Sequence, residues 1–265
     1  MNRRHRRHRR PAYFTGPGAA PQPGIPFELV EDPVVRDAAP AASHVPDGVE
    51  VSHGAATPAP PAEDLLLRAA AEATAQGDVG RATGIYQELL GRNPRQFTAR
   101  VRLAALLERR GDTNTALAEL DWVLAQQPDH VEALIRRGNV LGSLSRFTHA
   151  ERDLAHAAHL DPASPDAHFA LGVVLSRAGL WRNAIPHLRR VVELDPSSAT
   201  AYDHLGEALN KVDDLDGALQ AFQRSTELRP NSAKALRGLG IVYDRLNRPA
   251  EAAQMYRRSR ELAGA

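Results

Sequence analysis

The sequence predicts an all-α protein: six helical hairpins of equal length, preceded by an arm without regular structure. Three observations predict it. Marker residues recur at intervals of 34 without any insertion. The apolar residues between markers follow the three- and four-residue spacing of a helix stripe. Residues 1–62 show neither helical nor strand periodicity and are dense in Pro and Gly.

The arm comes first. The chain of 265 residues has a formal charge of only +1, which conceals segregation. Residues 1–10 hold six arginines (Arg3, Arg4, Arg6, Arg7, Arg9, Arg10) and no acid. Residues 11–62 hold one Arg against six acids, and the remainder is balanced at 26 of each sign. Composition of this kind buries too little apolar surface to offset ordering entropy, so a disordered or extended, polyproline-like arm is expected. One apolar island, Pro26 to Val35 with Glu28, Glu31 and Asp32 among it, is a candidate segment for ordering on a partner.

The body, 63–265, is built on four ladders in one register. Pro94, Pro128, Pro162, Pro196 and Pro230 form one, and Ala82, Ala116, Ala150, Ala184, Ala218 and Ala252 form the second. Small residues make the third (Ala70, Ala104, Gly138, Gly172, Gly206, Gly240), and bulky ones the fourth (Tyr86, Leu120, Leu154, Leu188, Phe222, Tyr256). In 165–198, Ser164 is placed to cap a first helix that Pro165 opens. Leu171, Val174, Leu175 and Ala178 form its stripe, and Gly179 ends it in a left-handed conformation. A second stripe runs through Ala184, Ile185, Leu188, Val191, Val192 and Leu194 until Pro196 excludes further helix. Each copy is a helix–turn–helix hairpin, and the small residues let its two backbones approach.

The pattern Leu171-Gly172, Leu175, Gly179, Ala184, Leu188, Pro196 resembles the tetratricopeptide repeat, and so do the other copies: 63–96, 97–130, 131–164, 199–232 and 233–265. The resemblance implies a right-handed α-solenoid of stacked hairpins whose first helices line a concave groove that binds peptides or protein surfaces. There are departures. The usual aromatic at the fourth position is Leu66, Arg100, Leu134, His168 and Leu236, with Tyr202 alone close to it, and Arg137 stands where Leu is usual. Ala69 and Ala73 predict a weakly packed first helix. At the end of the stack Arg260, with Arg257 and Arg258, replaces the apolar residue of earlier copies, a polar face that argues against obligate end-to-end stacking.

Chemistry is sparse. The absence of cysteine removes disulfides, thiolate metal sites and a cysteine nucleophile. No phosphate-cradling GxxxxGK[ST], HExxH or GxSxG occurs, and Gly238-Leu239-Gly240 lacks a third Gly and a preceding strand. His149, His156 and His159 share a helix but read as a solvated polar face. No catalytic residue, cofactor or metal is expected. No window approaches the ~18 apolar residues of a membrane span, and no apolar stretch follows the basic start, so a cytoplasmic protein is expected.

Function is expected in the groove. The family's concave positions fall on Val101, Ile135, Phe169, Val173 and Ile241, which are apolar, and on Arg102, Arg109, Arg136, Arg177, Lys211, Arg237 and Arg245, which are basic. Asn139, Asp203, His204, Glu207 and Asn210 are the polar members. Arg109, Arg177, Lys211 and Arg245 repeat at one position, a ladder suited to carboxylates. The chaperone-tail clamp known in the family fails here: Asn139 is present, but Ile135, Ala170, Thr200 and His204 stand at its other positions. Trp181 reads as packing between hairpins, and Trp122 as either a partner contact or a residue half-buried beneath its own hairpin.

The reading is a non-enzymatic protein–protein adaptor that takes a peptide or partner helix with acidic groups into the groove, within a larger assembly. The alternative is recruitment to nucleic acid or an anionic membrane through the arm. Six neutralised phosphates give a salt slope of about −5 on duplex, and each Arg near anionic lipid contributes roughly 1 kcal/mol. A solubilising terminus is the bland case for the arm. Self-inhibition, with the acidic island 27–37 in the basic groove, is a third reading, and the oligomeric state stays open.

Overall fold

In the computed structural model, residues 62–264 are described. Among them every regular element is an α-helix. The helices are α1 (Ala62–Ala75), α2 (Val79–Arg92), α3 (Phe97–Arg110), α4 (Thr113–Gln126), α5 (Val131–Ser143) and α6 (Phe147–Leu160), followed by α7 (Pro165–Arg177), α8 (Trp181–Leu194), α9 (Ala199–Lys211), α10 (Leu215–Leu228), α11 (Ala233–Arg245) and α12 (Pro249–Ala263). The arginine run Arg3 to Arg10 and the island 27–37 lie outside the described residues.

Each helix begins and ends for local reasons that repeat. Ser164 accepts from the Ala167 N–H at 3.2 Å, as its position predicts, and Ser198 and Ser232 do the same one and two repeats later. Asp78 and Asp214 cap α2 and α10. The turn inside each hairpin needs one left-handed residue. Gly179 supplies it with φ +79°, and Gly77 and Gly111 are its equivalents. In the other three hairpins Ser145, Asp213 and Asn247 adopt the same conformation without being glycine. Asp and Asn tolerate it comparatively well.

Each hairpin packs on itself and on its neighbours: first helix against second, second helix against the next first helix and, from α3 onward, first helix against next first helix. The small and bulky ladders are the two sides of one contact. A Cβ built on Gly172 lies 2.7 Å from Leu188 Cγ, and one on Gly138 lies 2.5 Å from Leu154 Cγ. Gly206 meets the Phe222 ring and Gly240 the Tyr256 ring in the same way. The alanine ladder from Ala82 to Ala252 is buried, as is a second ladder, Ala99, Ala133, Ala167, Ala201 and Ala235. Leu65 occupies that register in the first hairpin and is 53% exposed, because among the described residues no hairpin precedes α1.

The two polar departures at the fourth position, Arg100 and His168, are compensated by the residue nineteen positions on. Arg100 of α3 pairs with Glu119 of α4 and sends its Nε–H to the Pro94 carbonyl at 3.0 Å. His168 of α7 repeats the arrangement: its Nδ1 is 3.1 Å from His187 Nδ1 and its Nε2 is 3.3 Å from the Pro162 carbonyl. The carbonyl can only accept, so a neutral His168 that holds this bond has its proton on Nε2, and its Nδ1 then accepts from the His187 Nδ1–H. Leu66 with Ile85 and Leu236 with Met255 keep the same register apolar.

Arg137 has its own compensation. Its Nε and Nη2 donate to Asp153 at 2.7 and 2.9 Å, and Nη1 donates to Asp121 at 2.7 Å. Burial works against the guanidinium charge, but the hydrogen bonds and charges of both carboxylates outweigh it and raise its pKa. Trp122 is packed against the core, with Phe97 at 5.9 Å between centroids and the Arg100 guanidinium 3.9 Å over its ring. Trp181 also packs against the core, with Lys211 Nζ 5.7 Å from its centroid.

Candidate functional site

The first helices α3, α5, α7, α9 and α11 pack side by side and present one face. Between α5 and α7 this face opens into a groove of about 580 Å³ lined by Val131, Glu132, Ile135, Arg136, Asn139, Asp166, Phe169, Ala170 and Val173. Five expected residues therefore meet in one place: Ile135, Arg136, Asn139, Phe169 and Val173. Arg136 lies 3.1 Å from Glu132 on its own helix. Between α9 and α11 a second groove, of about 420 Å³, is lined by Glu207, Asn210, Lys211, Phe222, Lys234, Arg237, Gly238 and Ile241. It gathers five more expected residues, Glu207, Asn210, Lys211, Arg237 and Ile241, the last 39% exposed.

His204 links the two grooves. Its ring meets the Phe169 ring edge-on at 5.4 Å. Burial pushes the imidazole below its ordinary pKa and Lys234 adds to this, while Glu207 and Asp203 oppose it. At the α3 end, burial raises the Glu108 carboxyl and the Arg136 charge works against that rise. Glu108 thus belongs to the same charged surface.

Two expected members are not groove residues. Val101 is 0% exposed, because its methyls branch directly from Cβ and end within the helix packing. Asp203 is 3% exposed and accepts a hydrogen bond from Ser225 Oγ. The basic ladder is also less uniform than its register implies. Arg245 is engaged with the Asn210 carbonyl, Asn210 Oδ1 and Asp213 of the preceding hairpin. Arg177 lies 6.0 Å over the Phe147 ring of the preceding hairpin, as Lys211 does over Trp181. These cations tie successive hairpins together. Arg102 and Arg109 are exposed on α3.

Glu132, Asp166 and Lys234 line the grooves but were not among the expected residues. They share one register, the second residue of the first helix, and the repeat period alone would have located them. Elsewhere His149 and His159 are exposed and His156 Nε2 lies 3.0 Å from Asp129. Among the described residues no three His, Asp or Glu converge as metal ligands, and no helix is long and apolar enough to cross a membrane.

Stacked antiparallel hairpins with one continuous inner face define a helical-repeat solenoid. Tetratricopeptide-repeat family models match residues 73–137, 135–199 and 197–265. The chain belongs to the tetratricopeptide-repeat family, and its described residues form six tandem helical hairpins. Solved structures agree. The chain is similar to YrrB, described as a tetratricopeptide-repeat protein with an unusual peptide-binding site, at 25% identity over 67% of this chain and 91% of that one, with a TM-score of 0.58. It is similar to MamA from Desulfovibrio magneticus RS-1 at 26% identity over 63% and 94%, with a TM-score of 0.59. A further MamA structure matches at 23% identity over 61% and 95%, with a TM-score of 0.57. A search of curated proteins found no match.

Proposed function

We propose that the protein is a non-enzymatic adaptor that holds a peptide or helix of a partner protein, bearing acidic groups, along its inner face. The tetratricopeptide-repeat fold supports protein–protein interaction in general. The observation that carries the finer reading is the α5/α7 groove, where Ile135, Phe169 and Val173 stay half-exposed on adjacent helices beside charged groups. Apolar anchors ringed by polar groups are the arrangement from which interfaces draw most of their affinity. The similar fold of YrrB, whose description names a peptide-binding site, points the same way. A cytoplasmic setting and membership of a larger assembly complete the proposal and rest on the sequence.

The test is affinity purification from native lysate with the full chain and with Ile135→Asp/Phe169→Asp. Partners retained by the parent and lost by the variant support the groove; the same partners at equal yield overturn it. Recruitment through the arm has its own test. Deleting residues 1–10 and measuring retention on duplex DNA, RNA and anionic vesicles across a salt series reveals it, and unchanged retention excludes it.

A further inference from the structure

The inner face changes character along its length. The α5/α7 groove has an apolar floor, and the charges at its rim are Glu132, Arg136 and Asp166. With Arg136 paired to Glu132 at 3.1 Å, the remaining charge is the carboxylate of Asp166. The α9/α11 groove carries Lys211, Lys234 and Arg237 against the single carboxylate of Glu207, which lies 3.7 Å from Lys234. Its excess charge is positive. Ile241 gives it one exposed apolar contact.

Taking the inner face as the binding site proposed above, we infer that the partner is an extended acidic segment of another protein that spans both grooves. It seats an apolar side chain against Ile135, Phe169 and Val173, and a carboxylate against Arg237 and Lys211. The chemistry of the ends fixes this assignment. A carboxylate in the first groove faces Asp166, whereas in the second it meets uncompensated cations. Nucleic acid fits less well, since Glu108, Glu132, Asp166 and Glu207 interrupt the surface that a phosphate chain would follow.

Geometry sets the spacing. Neighbouring packed helices lie about 8–10 Å apart, and the two grooves are separated by two repeats, roughly 16–20 Å. An extended chain advances about 3.3 Å per residue, so the acid stands about five or six residues from the apolar anchor. A helix is about 10–12 Å across, wider than the interval between the axes that flank each groove, and an extended chain suits them better.

The experiment is selection of a random peptide library, with inserts long enough to reach both grooves, on the full chain, followed by fluorescence anisotropy of the selected peptides. The expected consensus is a large apolar residue and an Asp or Glu at the stated separation. Arg237→Glu should weaken these peptides roughly ten- to a hundredfold, the value of one charge-assisted hydrogen bond. Exchanging the peptide's acid for Lys should recover much of that loss, an outcome a merely structural role for Arg237 does not give. Arg237→Gln, checked by circular dichroism, serves if the reversal impairs folding. Peptides that depend on Phe169 but carry no acid, or that ignore both substitutions at Arg237, overturn the two-subsite assignment and leave the groove intact. Peptides indifferent to Phe169→Ala overturn the groove itself. Displacement of the peptides by a single-stranded oligonucleotide through Lys211 and Arg237 overturns the acidic-segment reading.

Discussion

Substituting Arg137→Leu restores the side chain usual for the family, yet the structure predicts a loss of stability. Arg137 lies between α5 and α6 with its side chain 20% exposed, and it holds Asp153, whose side chain is 4% exposed, through two hydrogen bonds. Leucine removes both and leaves a carboxylate buried in the helix interface. Removing one member of a buried pair costs about 3–5 kcal/mol, because the other charge stays desolvated. The Asp121 bond adds little. Its carboxylate is 60% exposed, and exposed pairs contribute roughly 0–1 kcal/mol. The double substitution Arg137→Leu/Asp153→Met removes the stranded charge and gives the register the methionine it has at Met255. It should return to within about 1 kcal/mol of the parent or exceed it.

The assay must be local, since repeat arrays need not unfold in one step and a single midpoint can mislead. Amide hydrogen exchange in α5 and α6 reads the third hairpin directly and is paired with a urea titration. Faster exchange is expected in these two helices in the single variant, and recovery in the double. A single variant with parental exchange, or a double variant as labile as the single, refutes the claim that Asp153 depends on Arg137.

The remaining predictions are of two kinds. Gly84 in α2 has open space where a Cβ would stand, so Gly84→Ala should stabilise by about 0.5–1 kcal/mol, the usual helix gain over glycine. Gly172→Ala meets Leu188 Cγ at 2.7 Å, where overpacking of about 1–3 kcal/mol exceeds that gain; opposite shifts of the urea midpoint are the check. Burial, with the His168 charge adding, holds His187 below its ordinary pKa, so the unfolded chain binds protons first as the pH falls. Stability should therefore decline below about pH 6.5 down to the folded-state pKa, and the melting temperature of His187→Gln should fall less than the parent's over that window.

The hairpins were legible because each ladder answers a separate physical need in the same register. Proline stops a helix, the small residue admits a bulky one, alanine permits close approach, and Gly179 supplies a left-handed turn. Legibility weakened where one need can be met in several ways. Glycine marks the turn in three hairpins, but Ser145, Asp213 and Asn247 fill the same conformation in the others. Arg100, His168 and Arg137 looked like defects when each was read alone. Their partners Glu119, His187 and Asp153 stand at one shared register, where the helix period identifies them.

The groove shows where register stops being sufficient. Val101, Ile135, Phe169, Asp203 and Arg237 occupy one position in five successive copies. Val101 and Asp203 are buried, Ile135 and Phe169 are half-exposed, and Arg237 is exposed. That order follows side-chain reach. The Cα atoms sit at a common depth between packed helices, so a short side chain ends within the packing and a long one emerges from it. Periodicity therefore fixes which residues point inward along the solenoid, and the length of each side chain decides which of them a partner can touch. The same reasoning places an accessible cation at Arg237, which lines the groove alongside Lys211 and Lys234, and removes Val101 from the surface although its register is correct.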